Sequence, residues 1–134
     1  MKVEGSCHCG AITFDAEVDP ERVTLCHCTD CQTLTGTAFR TTVQAPVATF
    51  VLKTGTPKIY VKTTAESGLP RHQAFCENCG TPIYASAAQD PVTYGIRVGT
   101  LKQRAELAPA RHIWWRSALP WVTGLDALPR HEKT

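Results

Sequence analysis

The sequence predicts an all-β, or at least β-rich, fold with at most short helical turns. Three observations carry this. Apolar and polar residues alternate over short runs, which is the period of a half-buried strand. Nine prolines and nine glycines interrupt 134 residues, too densely for long helices. No stretch with a 3.6-residue period reaches three turns.

The elements follow in order. In Ala11–Val18 the residues Ile12, Phe14, Ala16 and Val18 alternate with polar neighbours, so all four lie on one face of a strand. Further strands are expected at Arg22–Cys26, Phe39–Val43, Val47–Leu52, Lys58–Lys62, Gln73–Cys76, Val92–Val98 and Arg111–Trp115. These runs are short, rich in β-branched and aromatic residues, and separated by Gly, Pro, Asp or Asn. One or two helical turns are expected from Thr29 or Asp30. With 43% apolar residues, a chain of this length builds one core. The expectation is a single domain over residues 1–130, with 131–134 a loose tail.

Composition also excludes function classes. No apolar run approaches the roughly 20 residues that span a bilayer, and Met1–Cys7 lacks the apolar stretch of a secretory signal, so the expected location is cytoplasmic, with no membrane partner. Net charge is +2. Residues 1–96 hold seven Lys/Arg against nine Asp/Glu, and residues 97–134 hold seven against three. The C-terminal cations, from Arg97 to Lys133, are dispersed, which fits a solvated basic face better than a nucleic-acid groove. A small substrate with carboxylates needs only one or two of them. A homo-oligomer is compatible with the sequence.

Seven cysteines stand beside one methionine, which points to a chemical use of sulfur rather than packing. An odd count leaves one thiol unpaired in any intramolecular disulfide scheme, and Cys-x-Cys pairs are badly spaced for mutual bridging. Metal is the better reading. The clusters are Cys7-His8-Cys9-Gly10, Cys26-His27-Cys28-Thr29-Asp30-Cys31 and Cys76-Glu77-Asn78-Cys79-Gly80. In extended backbone, Cys-x-Cys presents both sulfurs to one side; Cys-x-x-Cys-Gly suits a tight turn around an ion. Four thiolates make a closed structural zinc site, and three leave an exchangeable position. Seven therefore suggests two zinc ions, one closed and one open. Cys26, Cys28 and Cys31 could supply the open site, leaving Cys7, Cys9, Cys76 and Cys79 for the closed one. The rival partition joins Cys7 and Cys9 to the middle cluster, and spacing alone leaves both standing.

Gly5–Phe14, Cys26–Gln32, Thr35–Phe39, Phe75–Tyr84 and His112–Ser117 with Pro120-Trp121 resemble the glutathione-dependent formaldehyde-activating enzyme family, also called the centromere protein V/GFA domain. The resemblance covers nearly the whole chain and all seven cysteines in order. It implies an Mss4-like β-tent fold, a structural zinc on Cys7, Cys9, Cys76 and Cys79, and a catalytic zinc on Cys26, Cys28 and Cys31. It further implies a carbon–sulfur lyase-type activity that joins glutathione to formaldehyde as S-hydroxymethylglutathione. Zinc deprotonates a thiol that is mostly protonated at neutral pH. Three protein thiolates give the site a net charge of −1, which keeps a bound sulfur nucleophilic.

Glutathione's carboxylates call for cations, and Arg40 and Arg71, each near a cysteine cluster, are the candidate contacts; the alternative for either is an exposed strand residue. His8 and His27 should point away from the sulfurs by strand alternation and support them from behind or lie at the surface. His72 and His112 are acid–base groups by type only. Trp114, Trp115 and Trp121 are expected to close a small core, with a place in a substrate cleft as the alternative. A redox role for Cys76 and Cys79 is disfavoured by the absence of a βαβ pattern. Against an enzyme acting on a small thiol or aldehyde stands a non-catalytic zinc-stapled binding module, which would need closed sites only.

Overall fold

A strand that borders the dry core gives it one face, and the alternation along the strand determines which side chains go there. A computed structural model describes residues 1–134. Ten strands are present: β1 (Lys2–Ser6), β2 (Thr13–Glu17), β3 (Val23–Cys26), β4 (Arg40–Pro46), β5 (Val51–Thr54), β6 (Lys58–Lys62), β7 (Arg71–Phe75), β8 (Pro82–Ala87), β9 (Thr93–Arg97) and β10 (Arg111–Ile113). The one α-helix, α1 (Thr29–Thr35), has seven residues, and the remaining helical segments are 3-10 turns. The β-rich expectation is met. No helix is long and apolar enough to cross a membrane.

The strands form a three-stranded sheet, β1-β2-β5, and a seven-stranded sheet, β10-β3-β4-β9-β8-β7-β6. All pairings are antiparallel except β10 with β3. The four residues Ile12, Phe14, Ala16 and Val18 are all buried, and they join Val3 from β1 and Val23, Val43, Ala45, Ile83 and Ile96 from the larger sheet in one core. Leu101 and Leu107 close it from the following turns. The opposite face of the larger sheet is polar: Thr24, Thr42, Gln44, Gln73 and Arg97 line a cleft there.

Two strands depart from the sequence expectation. β1 offers only Val3 as an inward apolar side chain, because its next inward position is Gly5. A Cβ on Gly5 would lie 2.0 Å from Cζ of Phe14, so the glycine makes room for that ring. β8 begins at a proline and carries small residues, and it is recognisable only from its pairing with β7 and β9. The run Val47–Leu52 divides into a 3-10 turn at Val47–Thr49 and the start of β5. The segment Pro120–Ala127 is a 3-10 helix, and Trp114, Trp115 and Trp121 are 42, 49 and 55% exposed. The tryptophans therefore do not close the core. That task falls to Phe14, stacked on Phe50, which in turn meets the stacked pair Tyr84 and Tyr94 edge-on.

Gly5→Ala is expected to destabilise the fold by about 1–3 kcal/mol through overpacking against Phe14. Equilibrium urea unfolding measures this, and Phe14→Leu in the same chain should recover part of the loss. A second expectation concerns alkali. Burial, with Tyr94 stacked at 3.9 Å, raises the Tyr84 phenol above its ordinary range. A group raised on folding gives its full contribution below the unfolded pKa of about 10 and loses it as pH rises beyond. Urea midpoints should fall above about pH 10, and less steeply in Tyr84→Phe.

Candidate metal centres and the cleft

Two turns of the same design bring the first and third cysteine clusters together. In one, the amide of Cys7 donates to Ile12 O (3.0 Å); in the other, that of Cys76 donates to Thr81 O (2.9 Å). Gly10 and Gly80, at φ +81° and +78°, close the turns in a region where other residues are strained. The turns face each other. His8 N donates to Thr81 Oγ1 at 3.1 Å, and the sulfurs of Cys7 and Cys9 lie 3.6 Å apart, those of Cys9 and Cys76 3.8 Å apart. With Cys79 they form a set within 4.8 Å that could hold a metal ion. Tetrahedral zinc with bonds of about 2.3 Å separates its sulfurs by about 3.8 Å, a spacing that the Cys7–Cys9 and Cys9–Cys76 pairs match.

Cys26, Cys28 and Cys31 form the second set, also within 4.8 Å. Cys26 ends β3, Cys28 caps α1 by accepting from Cys31 N at 3.3 Å, and Cys31 lies in the helix's first turn. The rival partition fails on position, since Cys7 and Cys9 meet Cys76 and Cys79 instead.

Each set holds at least one thiol that ionises more readily than a free cysteine. The Cys26 thiol is pushed down to about 6 by hydrogen bonds from Cys31, the Cys28 amide and the Cys28 thiol and by the charge of Arg40, while Cys31 is held well above the usual range by the same bond. The hydroxyl and amide of Thr81 and the amide of Cys9 push Cys79 down to about 5, and the Asn78 side chain lowers Cys9. Metal ligation requires deprotonated sulfur, which Cys26, Cys79 and Cys9 supply more readily than Cys31 or Cys76, the latter pushed up to about 11 by burial.

The second set opens into a cleft of about 380 Å³ on the polar face of the larger sheet, within the usual range for small-molecule sites. Arg40, Arg71, Arg97 and Lys62 line it, with Asp90 at its rim. Arg40 sits opposite Cys26 in the β3–β4 register and Arg97 opposite Thr42 in the β4–β9 register. Neither is exposed: they are 8 and 7% accessible. Lys62 Nζ is tied to Asp30 at 2.8 Å, and Thr64 donates to the same carboxylate, which holds Asp30 below the usual range.

The C-terminal segment supplies the remaining wall. Ile113 pairs with Cys26, His27 N donates to Ile113 O, and Gln32 Nε2 donates to His27 O and Ser117 O. His27 is wholly buried between the ligand cysteines. Its Nε2 is 2.8 Å from His112 Nδ1, and its ring meets Trp115 edge-on. Its Nδ1 is buried without a partner, while His8 is exposed. Trp114, which also lines the cleft, has φ +55°, an outlier for a bulky residue.

A family model described as glutathione-dependent formaldehyde-activating enzyme matches residues 2–117. The chain belongs to this family. The match to the glutathione-dependent formaldehyde-activating enzyme model spans both cysteine sets and the Trp114 wall. In fold, the chain is similar to a crystal structure of a Rhodobacter sphaeroides protein, with a TM-score of 0.63 at 21% identity, covering 84% of this chain and 100% of that one.

Of the residues expected from sequence, the structure gathers all seven cysteines in two sets, and it puts Arg40 and Arg71 in the cleft beside the second. Arg97, Gln73 and Lys62 also line the cleft but carry no sequence motif. The one signal available was parity, since Arg97 shares a strand face with Gly95 and Thr93, opposite Ile96.

Cys79→Ser is expected to cost on the order of several kcal/mol and much of the soluble yield, because binding energy at a closed metal site is also folding energy. Cys28→Ser should remain folded with one metal ion per chain instead of two. Elemental analysis and thermal denaturation of both variants check this.

Proposed function

We propose that the chain is a zinc-dependent carbon–sulfur lyase-type enzyme acting on a thiol adduct such as S-hydroxymethylglutathione, run from glutathione and formaldehyde. The observation that carries the reading is the three-thiol set opening into a cation-lined cleft, where a non-catalytic binding module would need only closed sets. Cys7, Cys9, Cys76 and Cys79 would hold a structural zinc, and Cys26, Cys28 and Cys31 a catalytic one. An ion held by these three residues supplies stabilisation of a substrate thiolate and polarisation of a carbonyl.

The protein's own groups do the rest. Arg40 and Arg71 attract the carboxylates of the thiol and so bring its sulfur toward the open side of the cysteine set. Trp114 narrows the mouth and excludes water from one flank. The chemistry balances without an oxidant: one C–S bond forms, the carbonyl π bond breaks, and the proton lost from sulfur ends on the new hydroxyl. Cysteine sets of this kind are maintained in a reducing compartment, which supports a cytoplasmic location.

Calorimetry in two buffers of different ionisation enthalpy tests the reading. Glutathione is expected to bind with proton release and S-methylglutathione is not, and formaldehyde is expected to disappear faster with enzyme and glutathione than with glutathione alone. If glutathione does not bind to protein carrying two metal ions, the glutathione reading fails and a different thiol or the binding-module account takes its place.

A further inference from the structure

Resting on the reading of the cleft as a thiol-substrate site, we propose that Arg40, Arg97 and Gln73 form a carboxylate-recognition site that selects anionic thiols over neutral ones. The two guanidinium groups converge on one oxygen. Gln73 Oε1 accepts from Arg40 Nη1 at 3.3 Å and from Arg97 Nη2 at 3.0 Å, and Arg97 Nη1 donates to Gly95 O at 3.3 Å. Each guanidinium carries five N–H donors, so most of them have no protein acceptor. Nε of each arginine is buried without a partner.

Buried charge requires a counter-charge, and no carboxylate supplies it. The ion pairs of the protein engage Lys53, Lys58, Lys62 and Lys102, with neither arginine among them. A divalent ion on Cys26, Cys28 and Cys31 would leave that centre with a charge of −1, set against Arg40, Arg97 and the nearby Arg71. Asp90 is the only carboxylate lining the cleft, and Lys62 is already matched by Asp30. The surplus is positive. A planar, bidentate acceptor is the natural complement to a guanidinium fork, and the cleft is built to admit one. Gly95 lies on its floor, and a Cβ there would point at Gln44 Nε2 and Thr42 Cγ2 at 3.6 and 3.7 Å. The glycine keeps open the space beside Arg97 that a larger side chain would fill. A neutral thiol would leave the guanidinium donors without an acceptor, which is the strong form of discrimination.

The test uses metal-loaded protein and three probes: 3-mercaptopropionate, 2-mercaptoethanol and propionate. Wild type is expected to bind 3-mercaptopropionate about tenfold to hundredfold more tightly than 2-mercaptoethanol. Arg97→Met should bring the ratio close to one while leaving 2-mercaptoethanol binding in place, and Arg97→Lys should restore part of it. Gly95→Leu keeps both arginines and blocks the space, so it should abolish the preference too; it decides the matter if Arg97→Met does not fold. Equal affinity for the two thiols in wild type, or a preference unchanged in Gly95→Leu, overturns the proposal and leaves the thiol reading intact. If neither thiol binds, the thiol reading has failed and propionate isolates the cation site. A rise in wild-type melting temperature that is absent in Gly95→Leu then supports carboxylate recognition, and no rise overturns it.

Discussion

A strand has two faces, and the seven-stranded sheet must keep one of them dry and the other charged. Val43 and Ala45 of β4 and Ile96 of β9 pack into the core, while Thr42, Gln44 and Arg97 from the same two strands line the cleft. A one-residue slip between β4 and β9 would exchange the two sets, burying an arginine in the core and exposing isoleucine to water. Register is therefore the condition on which both the stability and the chemistry depend. The β3–β4 pairing carries the same constraint to the thiols, because Cys26 stands opposite Arg40 only in that register.

The two cysteine sets act on this arrangement from different directions. Cys7, Cys9, Cys76 and Cys79 bring the turn after β1 against the turn between β7 and β8, where a bound ion would hold the small sheet against the large one. Cys26, Cys28 and Cys31 join strand to helix within six residues and connect little else. The first set ties together distant parts of the chain, and the second is local and faces the cleft. This contrast in connectivity fits the proposed use of the first set as structural and of the second as chemical.

Much of this was legible in the sequence, where the signal was local. Ile12, Phe14, Ala16 and Val18 showed their common face by alternation, and the short helical turns expected from Thr29 or Asp30 are α1, which begins at Thr29. The cysteine spacing suggested four and three but left the partition open, which only the meeting of the two distant turns could resolve. β1 was missed because its inward partner for Phe14 is a glycine, which carries no hydrophobic signal. Gln73 was missed, and Arg97 stood out only as one of the dispersed C-terminal cations, because a polar residue in a strand reads as solvent-facing unless both faces are known to be covered. The tryptophans misled for the reverse reason: their size argued for burial, while the core had already been filled by a phenylalanine and tyrosine stack.

The parallel pairing of β10 with β3 has a consequence for order of assembly. Apart from Ile113 and Trp114, every residue lining the cleft, from Thr24 to Arg97, precedes residue 98 in the chain. The Trp114 wall reaches its place only by returning across the molecule to the sheet's far edge. In N-to-C synthesis, the thiols of β3 and α1 emerge long before the segment that covers them. The site is thus open on that flank while the nascent chain is growing, and its last wall is its last part to be made.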